Sequence, residues 1–446
     1  MKKSKATFTT VLTAFSLEML MIAGAGANPL TDASDPAYIE RTAQPDAVKA
    51  KREAATLGKL APYVNYQLFP AVDKQATPET VALYRYLQAI GKSDKVIYGH
   101  ENDVHHKMFR PAGGSESDTK DVTGALAGVV GFDALSFTGD ELRLDDVDWN
   151  MGVRYVDHMV EITQKAAKEG CILTLSMHMP NFDRVAQKAA VAGTVDFSGY
   201  SPNIMTGNVA HRILPGGNLN ALYDQYVDLI ADYGLRMQAQ GIPVIFRPLH
   251  EHNGTWFWWG TKSTSAKDFQ QLWEYTVEYL RDQKGVHNFL YAYSPNGPFS
   301  NAQEYMKRYP GEAWVDILGM DTYDDNQNGS YYTDLDKSLG IMQTIADPQG
   351  KILALTEAGI RQDGSLAITG NREKDWFLRV ADICAKHHVP YFMTWSNFEK
   401  LPHNFFAPYM VSATRGHEMV NDFVAFYNDG KTLFADGLVD YRPLAR

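Results

Sequence analysis

The sequence is poor in cysteine, with only Cys171 and Cys384 in 446 residues. This scarcity excludes a scaffold stapled by disulfides. We expect no bridge between the two, because they fall in elements on distant parts of the predicted fold and a bridge needs Cα atoms within about 7 Å. The sequence therefore has to be stabilised by an ordinary hydrophobic core.

The sequence also lacks any basic run, and its formal net charge is -11. Nucleic acid and anionic membrane surfaces are therefore poor partners, because the chain offers them no cationic surface, and we expect neither to be bound. Beyond the N-terminal segment, no window approaches the roughly 20 apolar residues that span a bilayer. A neutral ligand fits this composition.

The first 27 residues are predicted to be an export signal. Lys2, Lys3 and Lys5 precede an apolar stretch from Val11 to Ala23, and the small residues that follow favour cleavage after residue 27. No cysteine lies at the cleavage point, so we expect no lipid anchor. The sequence thus predicts an exported, soluble, monomeric protein of the periplasm or the extracellular medium.

Eight short runs rich in β-branched and aromatic residues alternate with amphipathic stretches, a pattern typical of βα units. Several runs are apolar throughout, as parallel strands buried on both faces are. The predicted strands are Val96–His100, Ala134–Thr138, Ile172–Met177, Val244–Pro248, Phe289–Tyr293, Ile317–Met320, Ile352–Thr356 and Tyr391–Trp395.

Helices with apolar residues at i, i+3, i+4 spacing are predicted around these strands. They are Pro78–Ile90, Gly152–Glu169, Leu219–Gln240, Ala266–Gln283, Leu335–Ala346 and Arg372–His387. The pattern predicts an α/β fold, a (β/α)8 TIM barrel, as one domain over residues 28–446 with residues 28–90 as a lead-in wrapped on the barrel. An open doubly wound sheet is the alternative, but no glycine-rich phosphate loop follows the first strand.

Two glutamates follow predicted strands at the end of the barrel where catalytic residues gather. Glu251 comes after the fourth strand and Glu357 after the seventh. This pairing suits glycosidic cleavage, which needs one proton donor and one ionised carboxylate. A gap of roughly 5–5.5 Å would let the carboxylate attack the sugar and retain its configuration.

Flat and hydrogen-bonding side chains accompany the two glutamates at the strand ends. The flat faces come from Trp256, Tyr323 and Trp395, and the polar groups from His178, Arg247 and Asn253. Such a mixture suits a polar ligand with apolar faces. Trp258 and Trp259 are expected to pack or to shape the loop.

We predict no metal and no other cofactor. His100, Glu101 and His105 resemble a zinc-protease motif, but the second histidine comes five residues after the first instead of four. His100 remains a candidate for a distal sugar contact. The run from His250 to His252 needs a bulge or bend to aim Glu251 at the same site as its neighbours.

The segments that carry these residues resemble glycoside hydrolase family 26 from about Val96 to Phe426. The acid/base segment of that family is similar to residues 247–260, which read Arg-Pro-Leu-His-Glu-His-Asn-Gly-Thr-Trp-Phe-Trp-Trp-Gly. The nucleophile segment looks like Thr-Glu-Ala-Gly at 356–359, and Met-Asp-Thr-Tyr at 320–323 and Trp395 support the match. His252 departs from the pattern, because methionine is usual there.

The resemblance implies retaining hydrolysis of β-1,4-mannosidic linkages in mannan, galactomannan or manno-oligosaccharides. Glu251 would be the acid/base and Glu357 the nucleophile, held by Arg247 and Tyr323. His250 would replace the asparagine that related families place before the acid/base. The sugar subsites near the cleavage point would be lined by His178, Trp256, Asp321 and Trp395.

Two alternatives stay open. Some relatives in the family act on mixed-linkage β-glucan or β-1,3-xylan. A barrel that only binds polysaccharide is a further possibility, although the presence of both carboxylates argues against it. Endo action and mannobiose-releasing exo action are not distinguished, because loop shape decides between them.

Overall fold

A computed structural model of the chain describes residues 34–47, 70–109, 115–142, 154–398 and 404–445. The predicted export signal and residues 28–33 and 48–69 of the predicted lead-in lie outside the described residues. In the described parts of the chain, no helix has the length and hydropathy needed to cross a membrane.

Eight parallel strands close into a barrel. They are β1 Val96–Glu101, β2 Val129–Asp133, β3 Ile172–Met177, β4 Val244–Pro248, β5 Phe289–Tyr293, β6 Ile317–Asp324, β7 Ile352–Ile360 and β8 Tyr391–Thr394. Each strand pairs with the next, and β8 pairs with β1 through Tyr391 opposite Ile97 and Thr394 opposite His100. The predicted (β/α)8 barrel is confirmed.

The prediction of the second strand is wrong. It was expected at Ala134–Thr138, but the strand is Val129–Asp133 and Ala134–Phe137 form a 3-10 helix. The Asp133 side chain caps that helix by accepting a hydrogen bond from the Leu135 backbone N–H at 2.9 Å. Apolar residues run on both sides of Asp133, so hydrophobicity alone gave no boundary.

Helices cover the outside of the barrel. They are α1 Pro78–Gly91, α2 Asp118–Thr123, α3 Tyr155–Lys168, α4 Phe182–Ala192, α5 Val209–Ile213, α6 Asn220–Gln238, α7 Ala266–Glu278, α8 Ala302–Met306, α9 Ser330–Gln349, α10 Trp376–Lys386 and α11 Val420–Asn428. A π-helical turn, Tyr279–Gln283, continues α7 to the predicted end. Helix α9 begins five residues before its predicted start at Leu335. Tyr331 and Tyr332 have modest helix propensity, so the sequence does not indicate a helix there, but their burial in the fold stabilises the first turn.

Helix α1 closes the amino-terminal end of the barrel. Its Leu83, Leu87 and Ile90 join one apolar cluster with Ile97 and Ile172, which point into the barrel from β1 and β3. Burial of each side chain of this size stabilises the fold by roughly 1.5–3 kcal/mol. Because this end is filled with apolar side chains, the polar residues of the sheet collect at the opposite, carboxyl end.

The described part of the lead-in contacts the barrel. Residues Ile39–Glu40 pair antiparallel with Arg415–Gly416 near the end of the chain. The side chain of Arg415 also donates to the backbone oxygen of Asp35 at 3.0 Å. The segment before the barrel thus packs on the segment that follows it, which is consistent with the predicted lead-in.

Candidate active site

The chain bends sharply where β4 ends. Leu249 and Glu251 have φ values of 52° and 50°, in the left-handed region that non-glycine residues rarely adopt. The Glu251 backbone N–H donates to the Ser294 oxygen at 2.8 Å, which ties the bend to the segment after β5. The predicted bend is confirmed. Strained backbone of this kind is typical of functional sites, where the surrounding fold holds it.

Three carboxylates meet at the carboxyl end of the barrel. One oxygen each of Glu251, Asp321 and Glu357 lies within 4.8 Å of the others. A register shift between Met320 and Asp321 brings Asp321 on β6 opposite Glu357 on β7. An oxygen–oxygen gap below 4.8 Å between Glu251 and Glu357 is well short of the roughly 6.5–9.5 Å of inverting glycosidases and favours the shorter separation of retaining ones.

Both oxygens of Glu357 accept hydrogen bonds. The Nη2 atom of Arg247 donates to Oε1, and the Tyr323 hydroxyl donates to Oε2 at 2.7 Å. Nη1 of Arg247 donates to Asp321 Oδ2 at 3.0 Å, and Asp321 Oδ1 accepts from the Thr356 hydroxyl at 2.6 Å. Donors on both oxygens fix the orientation of the Glu357 carboxylate.

Glu251 has one donor and a different electrostatic environment. The Trp256 indole N–H donates to its Oε2 at 2.7 Å. Burial and the nearby charge of Glu357 raise the pKa of Glu251 to about 7, against the smaller opposing effect of the Trp256 hydrogen bond. Glu251 is therefore about half protonated at pH 7 and mostly protonated below it, which suits a group that donates and later accepts a proton.

The three carboxylates have the geometry of a possible cation site, but the positive charge of Arg247 already lies beside two of them. Arg247 donates to Asp321 and to Glu357, and its side chain is 1% exposed. Burial raises the pKa of Asp321 well above its usual range, although the Arg247 charge lowers it. The guanidinium places a positive charge beside Asp321 and Glu357, and the sequence-based expectation of no metal stays a prediction.

A cleft of about 260 Å³ opens above the carboxylates. Seven predicted site residues line it, namely His178, His250, Glu251, Trp256, Tyr323, Glu357 and Trp395. Sequence reasoning missed Tyr200, Asn203, Phe257, Asn296, Arg361, Gly364, Asn404 and Phe406. Asn296 and Arg361 come shortly after β5 and β7. Polar residues a few positions beyond each strand end are therefore the signal that indicates them.

Two predicted residues lie beneath the cleft instead of lining it. The side chains of Arg247 and Asp321 are 1% and 0% exposed. The expectation that Asp321 lines a sugar subsite is therefore corrected. Its hydrogen bonds to Arg247 and Thr356 make it part of the support for Glu357.

His100 does not reach the cleft. It is completely buried, and its Nδ1 lies 2.8 Å from Asp103 Oδ1 and 3.3 Å from the Thr119 hydroxyl. The prediction of a distal sugar contact by His100 is corrected, because its ring turns toward α2 and away from the barrel mouth.

The remaining residues of the acid/base segment shape the loop. Asn253 was predicted to bond a sugar hydroxyl. Its side-chain amide instead forms two hydrogen bonds of 2.7 Å with the backbone of Asn296. Trp258 and Trp259 are buried and donate to the oxygens of Pro180 and His250, at 3.2 and 2.8 Å. The predicted packing role of the two tryptophans is confirmed.

The departure at His252 has a consequence for stability. Its ring packs on Phe269 and Tyr293 with centroids at 4.2 and 4.7 Å, and neither ring nitrogen has a hydrogen-bond partner among the described residues. Burial, and then the charge of Arg308, lower the pKa of His252 well below its usual range. An imidazole held neutral in this way stabilises the fold above its unfolded pKa of about 6.5, and the contribution is lost as pH falls.

We therefore expect His252→Met to reduce the loss of stability in acid. Between pH 7.5 and pH 5 the variant should lose about 2 kcal/mol less unfolding free energy than the parent protein, because no imidazole has to be protonated. Urea unfolding at both pH values measures the difference. His211→Met, at an exposed ring, is the control. Parallel losses in the parent and in His252→Met would show that His252 does not contribute.

Trp256→Phe is expected to move the alkaline limb of the activity profile to higher pH. The indole N–H stabilises ionised Glu251, so its loss raises the pKa of Glu251 and keeps the acid protonated for longer. A hydrogen bond to a charged group is worth about 1.5–3 kcal/mol, which sets an upper bound of about one to two pH units. The pH dependence of kcat/KM measures the shift. A limb that stays in place or moves to lower pH would contradict the role given to the indole.

A closed (β/α)8 barrel with two neighbouring glutamates at its carboxyl end, one of them held by an arginine and a tyrosine, is an arrangement typical of glycoside hydrolases. The sequence profile of glycosyl hydrolase family 26 matches residues 72–407. The chain belongs to this family.

Named relatives and solved structures agree with this membership. A mannan endo-1,4-beta-mannosidase of Bifidobacterium adolescentis is 36% identical over 83% of this chain, which spans 36% of the length of that relative. The catalytic domain of an endo-beta-1,4-mannanase from Bacillus sp. JAMB-750 is 34% identical and superposes with a TM-score of 0.74, covering 84% of this chain and 96% of that one. A beta-mannanase structure from Bacteroides ovatus is 30% identical with a TM-score of 0.67, over 80% of this chain and 95% of the other.

Proposed function

We propose that the chain is a mannan endo-1,4-β-mannosidase that cleaves β-1,4-mannosidic linkages with retention, using Glu251 as acid/base and Glu357 as nucleophile. The observation that supports this most strongly is the unequal environment of two glutamates within 4.8 Å of each other. The names of the similar proteins support mannan as the substrate.

In the first step, the Glu357 carboxylate attacks the anomeric carbon as Glu251 donates its proton to the departing glycosidic oxygen. The bond to the leaving sugar breaks and a covalent glycosyl–enzyme forms. In the second step, Glu251, now ionised, takes a proton from water, and the water oxygen displaces Glu357. Two inversions at one carbon give net retention.

The neighbours of Glu357 serve both steps. Arg247 and Tyr323 hold the attacking carboxylate in place, which reduces the freedom that it must lose in the transition state. When Glu357 leaves in the second step, the same donors stabilise its returning charge. Asp321 fixes Arg247 by accepting its hydrogen bond, and Thr356 fixes Asp321 by donating to it. Buried side chains beneath the cleft thus support the position of Glu357.

The lining of the cleft suits a neutral sugar polymer. Trp256 and Trp395 offer flat faces to the C–H surfaces of pyranose rings, and the rings of His178 and His250 complete the wall beside them. The Tyr323 ring packs at 5.7 Å from Phe406, which extends the apolar wall. Among the described acidic, lysine and arginine side chains, Glu251, Glu357 and Arg361 line this space, and Arg361 pairs with Asp325 at 2.7 Å.

Release of reducing sugar from four polymers tests the proposal. Mannan, cellulose, lichenan and β-1,3-xylan are assayed at equal mass concentration, and we expect mannan to be cleaved fastest. Ladders of mannan products sampled over time distinguish endo cleavage, with a spread of lengths, from stepwise release of mannobiose. Faster cleavage of lichenan or xylan would replace mannan as the substrate. No release from any polymer would favour a barrel that only binds polysaccharide.

Export and the monomeric state stay predictions. N-terminal sequencing of the protein recovered outside the cytoplasm should begin at Asn28, directly after the 27 predicted signal residues. Light scattering of the purified protein gives the oligomeric state.

A further inference from the structure

Asp133, which ends β2, carries a completely buried carboxylate below the wall of the cleft. It accepts hydrogen bonds from the Leu135 N–H at 2.9 Å, the Ser176 hydroxyl at 2.5 Å and the His178 backbone N–H at 3.1 Å. Its Oδ2 also lies 2.8 Å from Nδ1 of the His178 ring. Four donors around one buried carboxylate form a built site for a negative charge.

His178 lies between this carboxylate and a second histidine. Its Nε2 is 3.2 Å from Nε2 of His250, with the two rings nearly perpendicular at 78°. Two ring nitrogens at this distance share one proton, and Nδ1 of His178 already places a proton toward Asp133. Either His178 is protonated on both nitrogens and its Nε2–H donates a hydrogen bond to His250, or a neutral His178 accepts a hydrogen bond from the Nε2–H of His250.

The charges around the two rings separate these arrangements. Burial lowers the pKa of His178, but the charges of Asp133, Glu141 and Glu357 outweigh it and raise the pKa above the usual range. Burial lowers the pKa of His250 well below its usual range. The groups that face His250 are His178, Arg247 and His252, and the positive charges of His178 and Arg247 lower the pKa of His250 further.

We infer that Asp133 is a positioning residue of the active site, which holds His178 as an imidazolium whose Nε2–H donates to neutral His250. The single proton of His250 then lies on Nδ1, which is buried and has no hydrogen-bond partner among the described residues. His178 lines the cleft with Glu251 and Glu357, so the arrangement fixes one positive charge at the wall of the site.

This arrangement affects both glutamates of the proposed function. The Nε2 of His250 lies 4.0 Å from Oε1 of Glu357. With its lone pair committed to His178, His250 neither donates to Glu357 from that nitrogen nor takes the proton that Glu251 must deliver. Arg247 and Tyr323 remain the donors that control Glu357.

The proton assignment is tested by NMR of protein with ¹⁵N-labelled histidine, titrated between pH 5 and pH 9. The His178 signals are identified by their loss in His178→Asn. In the parent protein, we expect both His178 nitrogens to be protonated with a midpoint above about 6.5, the ordinary value. In Asp133→Asn the midpoint should fall below that value. A neutral His178 in the parent at pH 6, or an unchanged midpoint in Asp133→Asn, would overturn the inference.

Asp103→Asn is the matched control. It makes the same change in a buried Asp–His pair, since Asp103 lies 2.8 Å from His100, away from the cleft. We expect Asp133→Asn to lower kcat/KM on mannan about 10- to 100-fold, the value of a lost charge-assisted hydrogen bond. Asp103→Asn should leave both kcat/KM and the His178 midpoint unchanged. Equal losses of kcat/KM in the two variants would show a general structural effect and contradict the positioning role.

A second variant covers the case in which Asp133→Asn does not fold. Ser176→Ala removes the 2.5 Å hydrogen bond to Asp133 but keeps the carboxylate, so His178 should still titrate above about 6.5. A His178 that titrates below that value in Ser176→Ala would overturn the inference. The activity measurement rests on the proposed function, whereas the titration does not. If mannan is not a substrate, the titration alone still decides the inference.

Discussion

Replacing Glu357 by alanine is expected to abolish hydrolysis of both mannan and an activated aryl β-mannoside. In the proposed mechanism this carboxylate forms the covalent intermediate, and Arg247 and Tyr323 hold it in position for the attack. Loss of a catalytic nucleophile costs on the order of 10⁴- to 10⁶-fold in kcat. Rates on mannan and on 2,4-dinitrophenyl β-mannoside measure the effect.

Azide provides a check on the same variant. It can occupy the space left by the Glu357 side chain and attack the sugar from that face, giving α-mannosyl azide with one inversion. Circular dichroism shows whether the variant is folded, which separates lost chemistry from lost structure. If folded Glu357→Ala still hydrolyses the activated mannoside at the parent rate, Glu357 is not the nucleophile.

Replacing Glu251 by alanine should give a different pattern. Mannan cleavage is expected to fall by about 10²- to 10⁴-fold, the usual contribution of a general acid. Formation of the glycosyl–enzyme from the dinitrophenyl mannoside should be largely spared, because that leaving group needs no proton. The second step, which requires Glu251 as base, becomes slow, so a burst of dinitrophenol is expected.

The parent protein and Glu357→Ala are the controls for this experiment. Azide should attack the glycosyl–enzyme of Glu251→Ala and give β-mannosyl azide, the anomer opposite to that from Glu357→Ala. If Glu251→Ala loses the activated substrate and Glu357→Ala keeps it, the two roles are reversed. If both variants retain mannan cleavage, the active site lies elsewhere in the barrel.

Much of the fold was predictable because parallel strands buried on both faces leave a plain signal. Seven of the eight barrel strands overlap their predicted positions. The second strand failed because the apolar run continues through Asp133 into a 3-10 helix. A single buried polar residue ends that strand, and its capping contact depends on the folded backbone.

The glutamates and most cleft residues were predictable because strand ends meet at one face of a barrel. Depth in the barrel was not predictable from position alone. His100 and Asp321 both lie near the carboxyl ends of strands, yet His100 contacts Thr119 of α2 and Asp321 is buried against Arg247. Asp133 was missed because its role depends on His178, a residue 45 positions away that β3 brings alongside.

The anomer that forms first tests the central claim most directly. Hydrolysis of mannohexaose is followed by proton NMR from the first minutes, before the products mutarotate. Attack by Glu357 and then by water predicts that the β anomer appears first and decays toward the equilibrium mixture. An α anomer as the first product would mean direct attack by water, and would contradict a retaining mechanism with Glu357 as nucleophile.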